Sequence, residues 1–413
     1  MEKRIILHCD CNSFFASVET ALNPAYRDVP MAVCGSTEDR HGIVLAKNEL
    51  AKKYGIKTAE TVYSAKKKCP WLAIASPHYA EYEKYSRLAN EIYSRYTDMV
   101  EPFGIDESWL DVTASRVFGS GLDIAEKIRT DIKRELGITV SIGVSFNKVF
   151  AKLGSDYKKP DAITVIDENN FKTIVYPLPV SDLLFVGKKT AEQLRHMGIR
   201  TIGDLAEASP YMLRSRLGKA GEVLHAYAKG EDDVPVTREV ADSKSVGNGY
   251  TFRHDLVTKE ECRTGIEYLA DEIAVRLRRK GMLASTVQLS IKDEYLRVLQ
   301  RQRPLDPPSD SASSIAEVAY AILTSEWSEG KPIRMLTVTA QNLIKKESAA
   351  LQIDMFGDRE DKQREKMSKK DSAMDEIRSK YGAFSITRAS IINNDMGISY
   401  KSQRNDKDVE NRE

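Results

Sequence analysis

Three carboxylates stand where the sequence could do chemistry. Asp10 ends the short β-prone run Arg4-Ile5-Ile6-Leu7-His8-Cys9. Asp106 and Glu107 sit in Ile105-Asp106-Glu107-Ser108-Trp109-Leu110-Asp111-Val112, a hairpin-like segment that mixes carboxylates with large apolar residues. Charge in such company is expensive unless something binds there. Converging carboxylates are what metal-assisted phosphoryl transfer needs, because two divalent cations about 3.5 to 4 Å apart must be held and partly neutralised. An Asp at a strand end also serves simply to cap a turn, so spacing alone leaves both readings open.

The elements that must position these groups are written in the periodicity. Phe14 to Leu22 suits a helix, and Lys47 to Tyr54 suits another, stopped by Gly55. After Pro77, Tyr85, Ala89, Ile92 and Tyr96 recur at helical steps, which makes a long amphipathic helix with its tyrosines in the core. Leu184 to Leu194, closed by Gly198-Ile199, reads helix, Gly turn, helix. The backbone N–H groups at Gly187 and Lys188 suit a phosphate, and an ordinary helical linker domain fits equally.

Gly230 to Gly249 is polar and reads as an interdomain linker. Beyond it, a strand from Val246 to His254 precedes a helix opened by the capping box Thr258-x-x-Glu261. That helix buries Cys262, Ile266, Leu269, Ile273 and Leu277 and ends at Gly281. Strands at Thr286 to Ile291 and Tyr295 to Arg303, a Pro/Ser loop at Leu305 to Ser314, a helix to Trp327 and a strand Ile333 to Ala340 complete a βαββαβ, ferredoxin-like unit. Alternation places Arg297, Arg301 and Arg303 on one face of their strand. With Arg276, Arg278, Arg279 and Lys280 they concentrate positive charge, which favours phosphate contact over a merely solvated face.

Composition excludes other classes. The 413 residues call for two to four domains, and 41% apolar with 30% charged residues is ordinary for a soluble protein. No stretch approaches the roughly 18 apolar residues of a membrane span, so no membrane partner is expected. The apolar run before Asp10 is too short for a signal peptide, which points to the cytoplasm. Five cysteines without paired spacing are expected as reduced, buried thiols, and six scattered histidines form no ligand pattern. The net charge of +1 is silent about nucleic acid. After Ile344 the chain is strongly charged; Ala373 to Ile392 has enough apolar residues to fold locally, and disorder is expected at the extreme end.

Three segments carry a resemblance. Asp10-Cys11-Asn12-Ser13-Phe14-Phe15-Ala16-Ser17-Val18-Glu19, Ile105 to Asp111, and Ser141-Ile142-Gly143-Val144-Ser145-Phe146-Asn147-Lys148-Val149-Phe150-Ala151-Lys152 resemble the Y-family lesion-bypass DNA polymerases of the DNA polymerase IV branch. The likeness covers residues 1 to 345 in order. It implies an α+β right-hand polymerase with these domains: a ferredoxin-like palm (1–10 and 77–166), fingers (11–76), a helical thumb with a helix-hairpin-helix (167–232), a linker (233–243), a βαββαβ little finger that binds DNA (244–343), and a charged tail (344–413). It implies low-fidelity translesion synthesis on primer-template DNA from dNTPs, by a monomer working at the bacterial nucleoid.

By the same resemblance Asp10, Asp106 and Glu107, with the backbone carbonyl of Cys11, hold two Mg²⁺ ions, Asp106 and Glu107 being catalytic. Phe15 is the steric gate against a ribose 2′-hydroxyl, beside Phe14, and Lys52 and Lys159 hold the triphosphate. Gln352-Ile353-Asp354-Met355-Phe356 resembles the peptide by which bacterial polymerases bind the sliding clamp (beta subunit), through Gln352, Met355 and Phe356. The sequence departs from the family pattern at Glu49, where many members have tyrosine, at Lys52, where many have arginine, and at Phe185, where a glycine is frequent. A catalytically silent DNA- and clamp-binding scaffold is the competing reading, opposed by the intact carboxylates. A palm-type nucleotide cyclase would share strand-end carboxylates but has no use for a basic C-terminal domain.

Overall fold

The computed structural model describes residues 3–36, 40, 42–239, 243–348, 358–382, 385–392 and 394–398, with residues 358–368 as backbone only. Gln352, Met355 and Phe356, and the expected disorder at the extreme end, lie outside the described residues. The chain divides into two units, residues 1–35 with 43–240 and residues 241–413 with 36–42.

In the first unit β1 (Ile6–Cys11) leads into α1 (Phe14–Leu22), followed by β2 (Met31–Cys34), β3 (Val44–Lys47), α2 (Glu49–Lys53), α3 (Val62–Lys68) and β4 (Ala73–Ala75). Then come α4 (Tyr79–Tyr93), β5 (Val100–Pro102), β6 (Glu107–Asp111), α5 (Gly121–Leu136), β7 (Val140–Ser145), α6 (Lys148–Tyr157) and β8 (Ile163–Ile166). Five helices close the unit: α7 (Phe171–Val175), α8 (Lys188–His196), α9 (Ile202–Glu207), α10 (Pro210–Leu217) and α11 (Lys219–Ala228).

The main sheet has the order β5-β6-β1-β7-β8, so the strand carrying Asp10 is central, and a small sheet β3-β2-β4 forms a separate lobe. Strand alternation decides what β1 offers to each side. Leu7, Cys9 and Cys11 enter a core with Tyr82, Ala89 and Ile92 of α4 and Ile124 and Ile128 of α5. On the opposite parity, Ile6 packs with Trp109 and with Ala151 of α6, so His8 and Asp10 share the α6 side. The outer face of α6 sends Val149, Phe150 and Leu153 into the core of the five helices. Gly143 permits this sandwich: a Cβ there would stand 1.9 Å from the Ala151 carbonyl oxygen, so only glycine lets α6 lie this close to β7.

Part of the polar stretch expected as linker is packed rather than free. Val236 is buried against Ile6 and Trp109, Asp232 accepts from the Lys148 backbone N–H at 3.2 Å, and Glu101 accepts from the Thr237 N–H at 2.8 Å. Its polarity serves these bonds and the Arg4 donation to the Val234 carbonyl at 2.8 Å.

The second unit runs β9 (Ser245–Leu256), α12 (Lys259–Arg279), β10 (Met282–Asp293), β11 (Val298–Ser309), α13 (Ala312–Glu326) and β12 (Ile333–Lys345), then α14 (Asp358–Tyr381). The sheet order is β11-β10-β12-β9, all neighbours antiparallel, over one core shared with both helices. Both halves of the Thr258–Glu261 capping box form, and the expected apolar stripe of α12 is buried. The Pro/Ser loop is a correction: β11 continues to Ser309, because on an edge strand prolines forfeit no ladder bond that the sheet needs. Arg297 precedes that strand, and Arg278 is not part of an open basic patch. Its guanidinium makes a two-pronged bond to Asp375 of α14 at 2.5 and 2.9 Å, which, with Arg378 on buried Asp271 at 2.7 Å, fastens α14 to this unit. Ile391, Met396 and Ile398 complete the same core. Among the described residues no helix is long and apolar enough to cross a membrane.

Candidate active site

Asp10 and Glu107 are direct cross-strand partners in the β1–β6 ladder, which puts both carboxylates on the α6 side. On α6 and just beyond it, Lys148, Lys152, Asp156 and Lys159 recur at helical steps and face them. The Lys152 ammonium lies 2.9 Å from Asp10, 2.6 Å from Glu107 and 3.3 Å from Asp156. Lys159 reaches Asp10 at 2.8 Å and Asp156 at 2.7 Å. Lys148 is spent elsewhere, on Glu101 at 2.7 Å and over the Trp109 ring.

This crowding sets the protonation states. Burial raises the Asp10 carboxyl, but the Lys152 and Lys159 cations outweigh it and hold Asp10 below its ordinary range. Asp106 makes no ion pair among the described residues: burial first, then the Asp10 and Glu107 charges, push it up to about 6, against a smaller opposing pull from Lys152. Burial lowers both lysines, but the neighbouring carboxylates together, Asp10 and Asp156 for both and Glu107 for Lys152, outweigh it, so both are raised. His8, also on this face, donates or accepts through Nδ1 at 2.8 Å from Ser155 Oγ, while its Nε2 lies 3.4 Å from Glu107. Burial, reinforced by Lys152, lowers His8 well below the ordinary imidazole value, so the ring is neutral.

Among the described residues, the group whose ligand atoms all lie within 4.8 Å of one another is His8, Asp10 and Glu107, not the expected three carboxylates. Asp106 stands one position before β6, on the other strand parity, and Lys152 draws Asp10 and Glu107 together without it. Cys11 is hydrogen-bonded through its N–H to the Asp106 carbonyl at 2.9 Å, so its backbone does adjoin the site. Its thiol is pushed up to about 12, chiefly by burial, and all five cysteines are free and buried.

Phe14 is 3% exposed and its side chain packs in the α4–α5 core, while Phe15, one residue on, is half-buried at the rim. The ring of Phe15 stacks on Tyr82 at 4.0 Å and 13°. In the small lobe, Glu49 accepts from Ser13 Oγ at 3.1 Å and from Lys52 at 2.5 Å, which ties α2 to the turn before α1.

The remaining sites lie away from the carboxylates. Gly187 caps α8 without a side-chain bond, leaving backbone donors at Gly187 and Lys188, which with Ser181 and Arg195 line a shallow depression. Phe185 adopts φ 68°, the left-handed backbone that a glycine at this position accommodates without strain. Arg301 and Arg303 project from β11 toward α13, 3.2 Å from Glu326 and 3.0 Å from Ser325, and Arg297 pairs with Asp293 at 2.7 Å. Sequence reasoning missed Lys152, His8 and Ser155; the helical recurrence of Lys148, Lys152, Asp156 and Lys159 was the available signal for the first.

Residues 9–156 match the impB/mucB/samB family, residues 243–355 its C-terminal domain, and residues 181–232 the thumb domain of DNA polymerase-iota. The chain is 48% identical over 399 residues to a DNA polymerase IV of Acetivibrio thermocellus, covering 96% of this chain and 99% of that one. It is 38% identical over 382 residues to DNA polymerase IV 1 of Bacillus subtilis, covering 92% and 91%. A solved Y-family DNA polymerase chimera superposes with a TM-score of 0.73 at 24% identity, over 83% of this chain and 99% of the chimera, a likeness of fold.

Proposed function

The chain belongs to the Y family of DNA polymerases, the impB/mucB/samB family, and we infer from this that it is a translesion DNA-directed DNA polymerase of the DNA polymerase IV branch. Its substrates are DNA and deoxynucleoside triphosphates, and its working place the bacterial nucleoid. The observation that carries the mechanistic reading is the surplus of negative charge on one face of the main sheet. It draws Lys152 between Asp10 and Glu107, and it adds to the burial that, as the larger cause, pushes Asp106 up to about 6.

Such a donor set, all oxygen with partial burial, fits two Mg²⁺ ions, which Asp10, Asp106, Glu107 and the Cys11 carbonyl would hold. When bound, Mg²⁺ supplies Lewis acidity toward the primer 3′-hydroxyl and the triphosphate. Lys159 and Lys52 supply cations for the triphosphate; Lys159, already beside Asp10, changes partner as it does so. Phe15 bounds the sugar from below as the steric gate. His8, neutral and fixed by Ser155, holds its edge toward Glu107 without adding charge.

The domain roles that go with this reading are residues 1–10 and 77–166 as palm, 11–76 as fingers, 167–232 as thumb, 233–243 as a partly packed linker and 244–343 as little finger. Gly187 and Lys188 would hold a backbone phosphate, Arg297, Arg301 and Arg303 would touch DNA from the little finger, and Gln352, Met355 and Phe356 would engage the sliding clamp.

Primer extension by the full chain with Mg²⁺ and four deoxynucleotides, on undamaged and abasic templates, tests this reading. Extension that Asp106→Ala abolishes, and that passes the abasic site in wild type, is the expected result. Folded, DNA-binding wild type that extends neither template would make the chain a scaffold.

A further inference from the structure

Glu19 is a buried carboxylate that the chemistry above does not use. It is 3% exposed on α1, one helical turn after Phe15. On α4, His78 occupies the N-cap and Tyr82 lies one turn later. These four residues form part of the contact between the two helices. Glu19 accepts from His78 Nδ1 at 2.9 and 3.0 Å and from the Tyr82 hydroxyl. Tyr82 is fully buried, and its ring is the surface on which Phe15 lies flat. Tyr79 closes the edge of Phe15 at 5.9 Å and 89°.

Core packing alone would ask for none of this. A phenylalanine at position 82 would stack as well, and a buried carboxylate costs free energy unless it is fully bonded. What the bond adds is a fixed ring: the Tyr82 hydroxyl is tied to Glu19, which is itself tied to His78, so the plane behind Phe15 has one position. A steric gate rejects a 2′-hydroxyl only if it cannot retreat, and a terminal aromatic torsion is otherwise broad.

We propose that Tyr82, pinned by Glu19 and His78, is the positioning residue that holds Phe15 forward, so that these three residues set the discrimination between deoxyribose and ribose. The proposal rests on Phe15 being the steric gate. It predicts that loosening the wall behind the gate admits ribonucleotides while deoxynucleotide addition is retained.

The test is single-nucleotide addition of dCTP and rCTP opposite a template guanine by the full chain with Mg²⁺, read as the ratio of the two kcat/KM values. The ratio is independent of the active fraction, so partial loss of folded enzyme does not enter it. Tyr82→Leu is expected to lower the ratio by about tenfold or more. Tyr82→Phe and Glu19→Gln should each lower it by roughly two- to tenfold, the worth of one hydrogen bond. In all three, kcat/KM for dCTP stays within about threefold of wild type. If Phe15→Ala collapses the ratio while the soluble Tyr82→Phe and Glu19→Gln keep it at the wild-type value, the gate stands and the pin is overturned. If Phe15→Ala itself leaves the ratio unchanged, the gate assignment fails and the pin goes with it.

Discussion

On the α6 side of the main sheet, Lys152 and Lys159 are 17% and 31% exposed and are shared among Asp10, Glu107 and Asp156. At the β11 edge of the second unit, Arg297 and Arg301 are 76% and 54% exposed, and each leans on a single carboxylate. Both regions were marked as functional by charge in the sequence, yet they use it differently. Where reacting groups must be held, charges are desolvated, opposed and few in conformation, and their fields shift one another's protonation. Where a polyanion is to be gripped, charges stay in water and keep their mobility, and their strength is set by salt. Removing a charge from the first region should therefore damage the fold and the chemistry, and from the second only the affinity.

That contrast can be broken at either end. Lys152→Met takes the shared cation from between two partly buried carboxylates, a change that typically costs about 3 kcal/mol or more. Without divalent cations the melting temperature of the variant should fall by roughly 5 to 10 °C, and added Mg²⁺ should restore more of it than it adds to wild type. A melting temperature within a degree of wild type would mean that the lysine is not integral to the site. Replacing Arg301 and Arg303 together with Gln should leave the melting temperature unchanged. It should weaken primer-template binding several-fold and lower the slope of log affinity against log salt by about 1 to 2. An unchanged slope would place the DNA elsewhere. The smallest effect is expected at Phe185→Gly, where relief of the left-handed backbone and loss of the ring contact with Tyr227 nearly offset. Stability should move by less than about 1 kcal/mol, measured by urea denaturation, and a larger loss would show that the aromatic contact outweighs the strain.

Much of this was legible in the residues and some of it was not, for physical reasons. Asp10 and Glu107 could be found because strand ends and motif spacing are local, and α12 because its cap and stripe are written within about one helix length. Lys152 was in view but not its role. That role depends on α6 lying flat on β7, which is decided by the missing Cβ of Gly143. The Phe14-Phe15 pair shows the same limit: one ring is core and the other rim, and only the orientation of α1 against Tyr82 tells which. The extent of β11 was underestimated because prolines signal loops unless the strand is at an edge, and edge position is a property of the sheet. Arg278 was counted with an open basic patch because its partner Asp375 lies 97 residues away.

The most direct measurement separates chemistry from grip: single-turnover nucleotide incorporation with Mg²⁺, alongside primer-template affinity, for wild type and Asp106→Asn. Incorporation reduced by at least about a hundredfold, with DNA affinity within about threefold of wild type, is the expected outcome. Incorporation retained by the folded variant, or lost only in step with DNA binding, would contradict the assignment of the chemistry to the carboxylates around Asp10.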